Sequence, residues 1–134
     1  MQVEVSSVDD QHLEVSVRDQ TLSIDRQAVP GARSDGFRAT ELLLAGLGAC
    51  MVGTALEYAR RRGMPVSAIT MQLEDETAKH PTRVHAITAT LSVVGSISDK
   101  DLERIARVAA RCKVHNTLMA EDGPAITVEA QRAD

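Results

Sequence analysis

Cys50 and Cys112 are the residues of this chain best suited to chemistry, and they are its only cysteines. A thiol reacts as its thiolate, and nearby cations or helix N-termini lower its pKa. Cys112 lies in the run RCKVHNTL, flanked by Arg111 and Lys113 and followed by His115. If the chain kinks after Cys112 and a new helix starts at Val114, that helix's N-terminus adds partial positive charge there. Cys50 has no cation beside it in sequence, so its activation must come from elsewhere in the fold. An attacking thiolate and a resolving thiol are the two parts of a peroxide-reducing dithiol site. The first becomes a sulfenic acid, the second condenses with it, and an external thiol resets the pair. Free cysteines are also common as inert core residues. A Cys50–Cys112–His115 zinc site lacks the close ligand spacing typical of zinc motifs.

Cys50 sits inside TELLLAGLGACMVGTALEYARRR, which reads as one long helix over residues 40–62. Thr40 can cap it, and Glu41 places negative charge in its first turn, where the macrodipole favours it. Arg60, Arg61 and Arg62 form a solvated basic terminus, Gly63 stops the helix and Pro65 prevents its return. The segment from Leu42 to Leu56 is nearly apolar all round, which predicts burial on most sides. Gly46, Gly48 and Gly53 each cost about 1 kcal/mol relative to alanine inside a helix. Close approach of another backbone would compensate, and Ala45, Ala49 and Gly53 offer a small ridge at four-residue spacing.

Strands surround this helix. Val3 and Val5 suggest one, turned by Asp9 and Asp10. Leu13, Val15 and Val17, then Leu22 and Ile24, alternate as a hairpin about Asp19 and Gln20. Residues 28–39 are a loop by composition. Ile69, Met71 and Leu73 face one way, and Ile87, Ala89, Leu91 and Val93 repeat the pattern after a turn near His80-Pro81. Ser98 is a good N-cap for a second helix, with Ile97 and Leu102 as its staple. Leu102, Ile105, Ala109 and Cys112 then share a stripe facing the core. Gly123-Pro124 breaks the chain before a last strand through Ile126, Val128 and Ala130.

The 134 residues favour one domain over the whole chain, with no internal repeat. A chain of this size buries roughly two thirds of its unfolded surface. Phe37 and Tyr58 are the only aromatics, so the core is aliphatic, with Met51, Met64, Met71 and Met119 as filler. A net charge of −4 and the lack of stacking faces argue against a nucleic-acid partner. The start, MQVEVSSVDD, has no signal-peptide pattern, and no apolar run is expected to approach the roughly 18 residues of a membrane span. A cytoplasmic protein without a membrane partner is expected, and in that compartment a structural disulfide is disfavoured.

GFRATELLLAGLGAC resembles the first motif of the OsmC/Ohr superfamily, a loop and then a helix ending in a small-small-Cys run. RCKVHNTL resembles that family's second cysteine motif, and the order of elements agrees over essentially the whole chain. The resemblance implies an α+β subunit: an antiparallel sheet, a long central Cys-bearing helix, a second helix, and an intertwined homodimer whose central helices pack together. It implies that Cys50 attacks an organic hydroperoxide, that Cys112 resolves it, and that Glu41 belongs to the site. The implied partners are a small hydroperoxide and a thiol reductant, with no cofactor and no metal. The other function weighed is a non-catalytic module of this fold, holding a small apolar or thiol-reactive ligand. Three differences from the family pattern stand out. Thr40 occupies the position of the usual glutamate, Arg38 and Ala39 replace its Asn-Pro, and Lys113 replaces the proline after the second cysteine. Arg26, Arg33 and Arg38 are candidates for the arginine that the family uses to hold its thiolate.

Overall fold

The computed structural model describes residues 1–133 and has the α+β architecture expected from the sequence. Its chain forms two compact units, Met1–Gly46 and a second from Leu47 onward.

The first unit is an antiparallel meander of β1 (Glu4–Ser7), β2 (His12–Val17) and β3 (Gln20–Asp25). Leu13 pairs with Ile24 and Val15 with Leu22, so the alternating apolar residues lie opposite one another. The β2–β3 turn falls on Arg18 and Asp19, one residue earlier than the sequence suggested, with Val17 opposite Gln20. Arg18 absorbs the turn with φ of 53°. Asp9 makes the preceding turn by accepting the amides of Gln11 at 2.8 Å and His12 at 2.7 Å. The carboxylate of buried Asp25 accepts the Gln27 amide at 2.7 Å and the Asp35 amide at 2.8 Å, which pins the following loop. Gly36 brings that loop onto β3. A Cβ there would stand 2.6 Å from the Ser23 carbonyl oxygen, and its φ is +77°, so only glycine fits.

Helix α1 (Ala39–Arg61) runs through the boundary between the units. Thr40 is not its cap, because the helix already includes Ala39. Glu41 instead reaches back to accept the Arg38 amide at 2.8 Å, the carboxylate half of a capping box.

In the second unit α1 packs against the hairpin of β4 (Val66–Ala78) and β5 (Arg83–Gly95), followed by α2 (Asp99–Ala109) and α3 (Lys113–Met119). The core gathers Leu47, Met51, Ala55 and Ala59 from α1 with Val66, Ile105, Ala109 and Cys112. Ile69, Met71 and Leu73 of β4 and Ile87, Leu91 and Val93 of β5 cover it as the alternation predicts. Ser98 caps α2, accepting the Asp101 amide at 3.1 Å. Gly95 pairs with Val66 at the open end of the hairpin, where the two strands enter and leave. A Cβ on it would lie 2.2 Å from the Pro65 carbonyl oxygen.

Four expectations change. The burial of α1 is a single stripe at four-residue spacing and not most of its surface: Leu43, Ala45, Ala49 and Gly53 are exposed. Nothing lies within 4 Å of a Cβ built on Gly46 or Gly53, so the backbone approach expected there is not made within this chain. By length and composition α1 is also apolar enough to cross a membrane, because alanine, glycine and threonine interrupt its apolar run at little cost. The last strand does not form. Residues 124–133 are in neither helix nor strand, and Ile126 and Val128 are 84% and 89% exposed, since nothing in this chain pairs with that run.

Candidate active site

α2 ends at Ala109, and the Arg111 amide closes its last turn on the Val108 carbonyl at 3.0 Å. Cys112 therefore does not extend the α2 stripe. It is the N-cap of α3, with extended backbone (φ −73°, ψ 160°), and its Sγ accepts the His115 amide at 3.3 Å. Sulfur here takes the place that a serine or aspartate oxygen usually fills. Cys112 stays in the core beside Ile105 and Ala109 even so, at 2% exposure. The kink anticipated after Cys112 is present, and the new helix starts one residue sooner, at Lys113.

Cys50 is half-buried on α1, packed against the same core. The structure packs Cys50 against the core cluster that contains Cys112, close enough for each thiol to shift the other's pKa. Their environments differ. The Val114 amide holds the Cys50 thiol below its ordinary range; burial opposes this, and the Cys112 thiol, the Lys113 amide and the Lys113 charge add to the lowering. Cys112 moves the other way. Its burial pushes its pKa up, and the neighbouring Cys50 adds to the rise. The two environments thus push the pair apart, favouring the thiolate more at Cys50 than at Cys112. A thiol favoured as thiolate beside one held neutral is an arrangement in which one sulfur can attack and the other can resolve.

The activation missing from the sequence around Cys50 comes from the first amides of α3. The start of a helix after Cys112 was legible, but not that its amides would serve Cys50, since a main-chain donor leaves no side-chain signature. His115 contributes its amide to Cys112, while its Nδ1 is buried without a hydrogen-bond partner.

Glu41 is engaged at the head of α1, and its recorded partner is Arg38. Of the candidate arginines, Arg26 donates to the Asp10 carbonyl at 2.6 Å and Arg33 pairs with Asp35 at 3.5 Å. Arg26 and Arg38 line a concavity of about 380 Å³ in the first unit, together with Asp25 and Thr40. Among the described residues, no group of three His, Cys, Asp or Glu side chains is arranged to hold a metal ion.

A family model described as OsmC-like protein matches residues 31–129. The structure is similar to an OsmC-like protein from Mycoplasma pneumoniae, with a TM-score of 0.79, 21% identity, and 90% of this chain and 88% of that one covered. It is similar to an organic hydroperoxide resistance protein OsmC, a predicted redox protein from Legionella pneumophila (TM-score 0.65, 18% identity, 88% of each chain). It is also similar to the organic hydroperoxide resistance protein OhrB of Bacillus subtilis (TM-score 0.64, 16% identity, 90% of each chain). At these identities the likeness is one of fold. No curated protein sequence matches significantly.

Proposed function

This chain belongs to the OsmC-like protein family, and from that premise we propose that it reduces organic hydroperoxides with a two-cysteine cycle in defence against oxidative stress. The observation that carries the reading is that both thiols pack at one core cluster in opposed environments, which lower the Cys50 pKa and raise that of Cys112. Two of the structural neighbours being named for organic hydroperoxide resistance supports it.

The Cys50 thiolate attacks the distal oxygen of the hydroperoxide. An S–O bond forms as the O–O bond breaks, and the departing alkoxide takes up a proton to leave as an alcohol. Cys50 is now a sulfenic acid, oxidised by two electrons. The Cys112 sulfur, losing its proton, displaces the hydroxyl group, which leaves as water and gives a Cys50–Cys112 disulfide. A small dithiol reductant returns both cysteines to thiols and is itself oxidised to a disulfide. The aliphatic surroundings suit an alkyl chain on the substrate. Glu41 fixes the head of α1 and, through the Arg38 amide, positions one of the candidate arginines. The working form is a homodimer, for which the exposed Ala45, Ala49 and Gly53 ridge is the natural seam. The compartment is the cytoplasm, where such thiols are kept reduced.

The test is a thiol count. Reduced protein mixed with cumene hydroperoxide should lose both thiols per chain. Cys50→Ser should lose none, and Cys112→Ser should lose one, as a sulfenic acid trapped by dimedone. An unchanged count in the unmodified protein would reject the peroxidase and leave a module that only binds.

A further inference from the structure

The end of α1 and the length of α2 form a second concavity in the same compact unit, of about 260 Å³, lined by Tyr58, Arg62, Arg104, Arg107, Val108 and Arg111. Four arginines therefore line one small space in a protein whose net charge is −4. The arrangement is built by helical spacing. Arg104, Arg107 and Arg111 follow one another at three and four residues, along one face of α2 and its closing turn. Tyr58 and Arg62 are four apart, and the Arg62 guanidinium lies 5.2 Å from the centre of the Tyr58 ring. That stacking gives the arginine a fixed platform.

The charges are poorly compensated from within. Arg104 has Asp101 at 3.4 Å. Among the described residues, no carboxylate lies within 4 Å of Arg62, Arg107 or Arg111. Like charges at three- and four-residue spacing work against a helix, so an anion entering here relieves a cost that the fold already carries. Arginine forks fit the paired oxygens of phosphoryl groups. A space of this size is small for a whole ligand, but it suits a compact group with several negative charges, the rest of the molecule extending outward. Nucleic acid fits less well, because the single aromatic face is already covered by Arg62.

We propose that this arginine-lined concavity is a binding site for the phosphoryl groups of a small polyphosphorylated molecule. The site is separate from the thiol pair in its chemistry, so it stands or falls independently of hydroperoxide reduction. Its connection to that pair is through the backbone. Arg111 immediately precedes Cys112, and its carbonyl accepts the Asn116 side-chain amide of α3 at 3.2 Å.

Calorimetric titration of the full chain with sodium tripolyphosphate at low ionic strength tests the proposal. One saturable site per chain is expected, with a rise in melting temperature. The double variant Arg107→Gln/Arg111→Gln should weaken binding roughly tenfold or more, as the loss of charge-assisted bonds implies. Arg18→Gln, in the β2–β3 turn, should bind as the unmodified chain does. Arg111→Lys keeps the charge but loses the fork, and should bind several-fold more weakly. The proposal is overturned if no saturable binding appears or if Arg18→Gln weakens it equally. Full affinity in Arg111→Lys overturns it as well, and so does citrate or a phosphatidylserine vesicle binding more tightly than tripolyphosphate.

Discussion

The Val114 amide favours the charged form of the Cys50 sulfur, and it is the largest cause of the lowering of this thiol's pKa from its ordinary value. The neighbouring Lys113 adds an amide and a charge to the same sulfur. Proline, the residue usual in the family at that position, has neither. Lys113→Pro is compatible with the first helical position of α3, so it should remove both contributions and keep the helix. The midpoint of Cys50 alkylation by iodoacetamide should then move to higher pH. Alkylation at pH 7 should slow by about three- to tenfold, the scale of one charge-assisted hydrogen bond. Lys113→Met, which keeps the amide, should fall between the two. The pH profile of alkylation in a Cys112→Ser background is the measurement, and coincident profiles would contradict it.

Packing gives a second expectation. Ile105 is fully buried where α1, β4 and α2 meet in the core. Ile105→Ala should cost about 2–5 kcal/mol, the range for truncating a buried aliphatic side chain, measured as a shift in urea midpoint. Gly95→Ala should be worse tolerated than its chemistry suggests. The added methyl meets the main chain of Pro65, which cannot rotate away as a side chain would. A melting temperature equal to that of the unmodified protein would show that the contact at the open end of the hairpin is softer than described.

A pH dependence follows from the first turn. The Asp9 carboxylate, 3.1 Å from His12 Nδ1, raises the His12 pKa; burial opposes the rise, and Asp25 and Asp35 add to it. A histidine whose pKa is raised on folding stabilises the native state when protonated. That contribution is complete below its ordinary value of 6.5 and is lost as pH rises through the higher native value. The difference in urea midpoint between the unmodified chain and His12→Gln should therefore be larger at pH 5.5 than at pH 8.5. A difference that grows toward alkaline pH would have the wrong sign.

Gly53→Ala separates a bare ridge from a dimer seam. In the isolated chain the new methyl meets nothing within 4 Å, and the helix should gain about 1 kcal/mol from the change. If the ridge packs on a second copy, as proposed, the methyl intrudes between the helices. Sedimentation should then show weaker association, while the monomer's helicity is unchanged or higher. Association at full strength would move the seam elsewhere.

Most of the architecture was legible because it rests on local periodicity. The face of Ile69, Met71 and Leu73 and the Ser98 cap can be read from alternation and capping residues, whereas the approach of the two cysteines was implied by the family resemblance alone. Three features could not be. Burial of α1 looked general because its residues are apolar, yet one chain covers only the stripe of Leu47, Met51, Ala55 and Ala59. The run through Ile126 and Val128 alternates like a strand, but a strand needs a partner, and the sequence does not say whose. Thr40 had the composition of a cap, whereas the helix begins earlier and Glu41 does the capping. Cys50 and Cys112 are side chains and could be nominated, while the Val114 amide could not.

Cys112, the resolving thiol of the proposed cycle, is also the acceptor that secures the His115 amide at the head of α3. Once its sulfur is joined to Cys50 it becomes a poorer acceptor, and that amide is released. Oxidation would thus loosen the very turn whose dipoles had sharpened the nucleophile, and reduction would tighten it again. Deuterium uptake over residues 113–116 would then serve as a gauge of the thiol state, faster in the spent chain than in the recharged one, with the polypeptide itself keeping a memory of turnover.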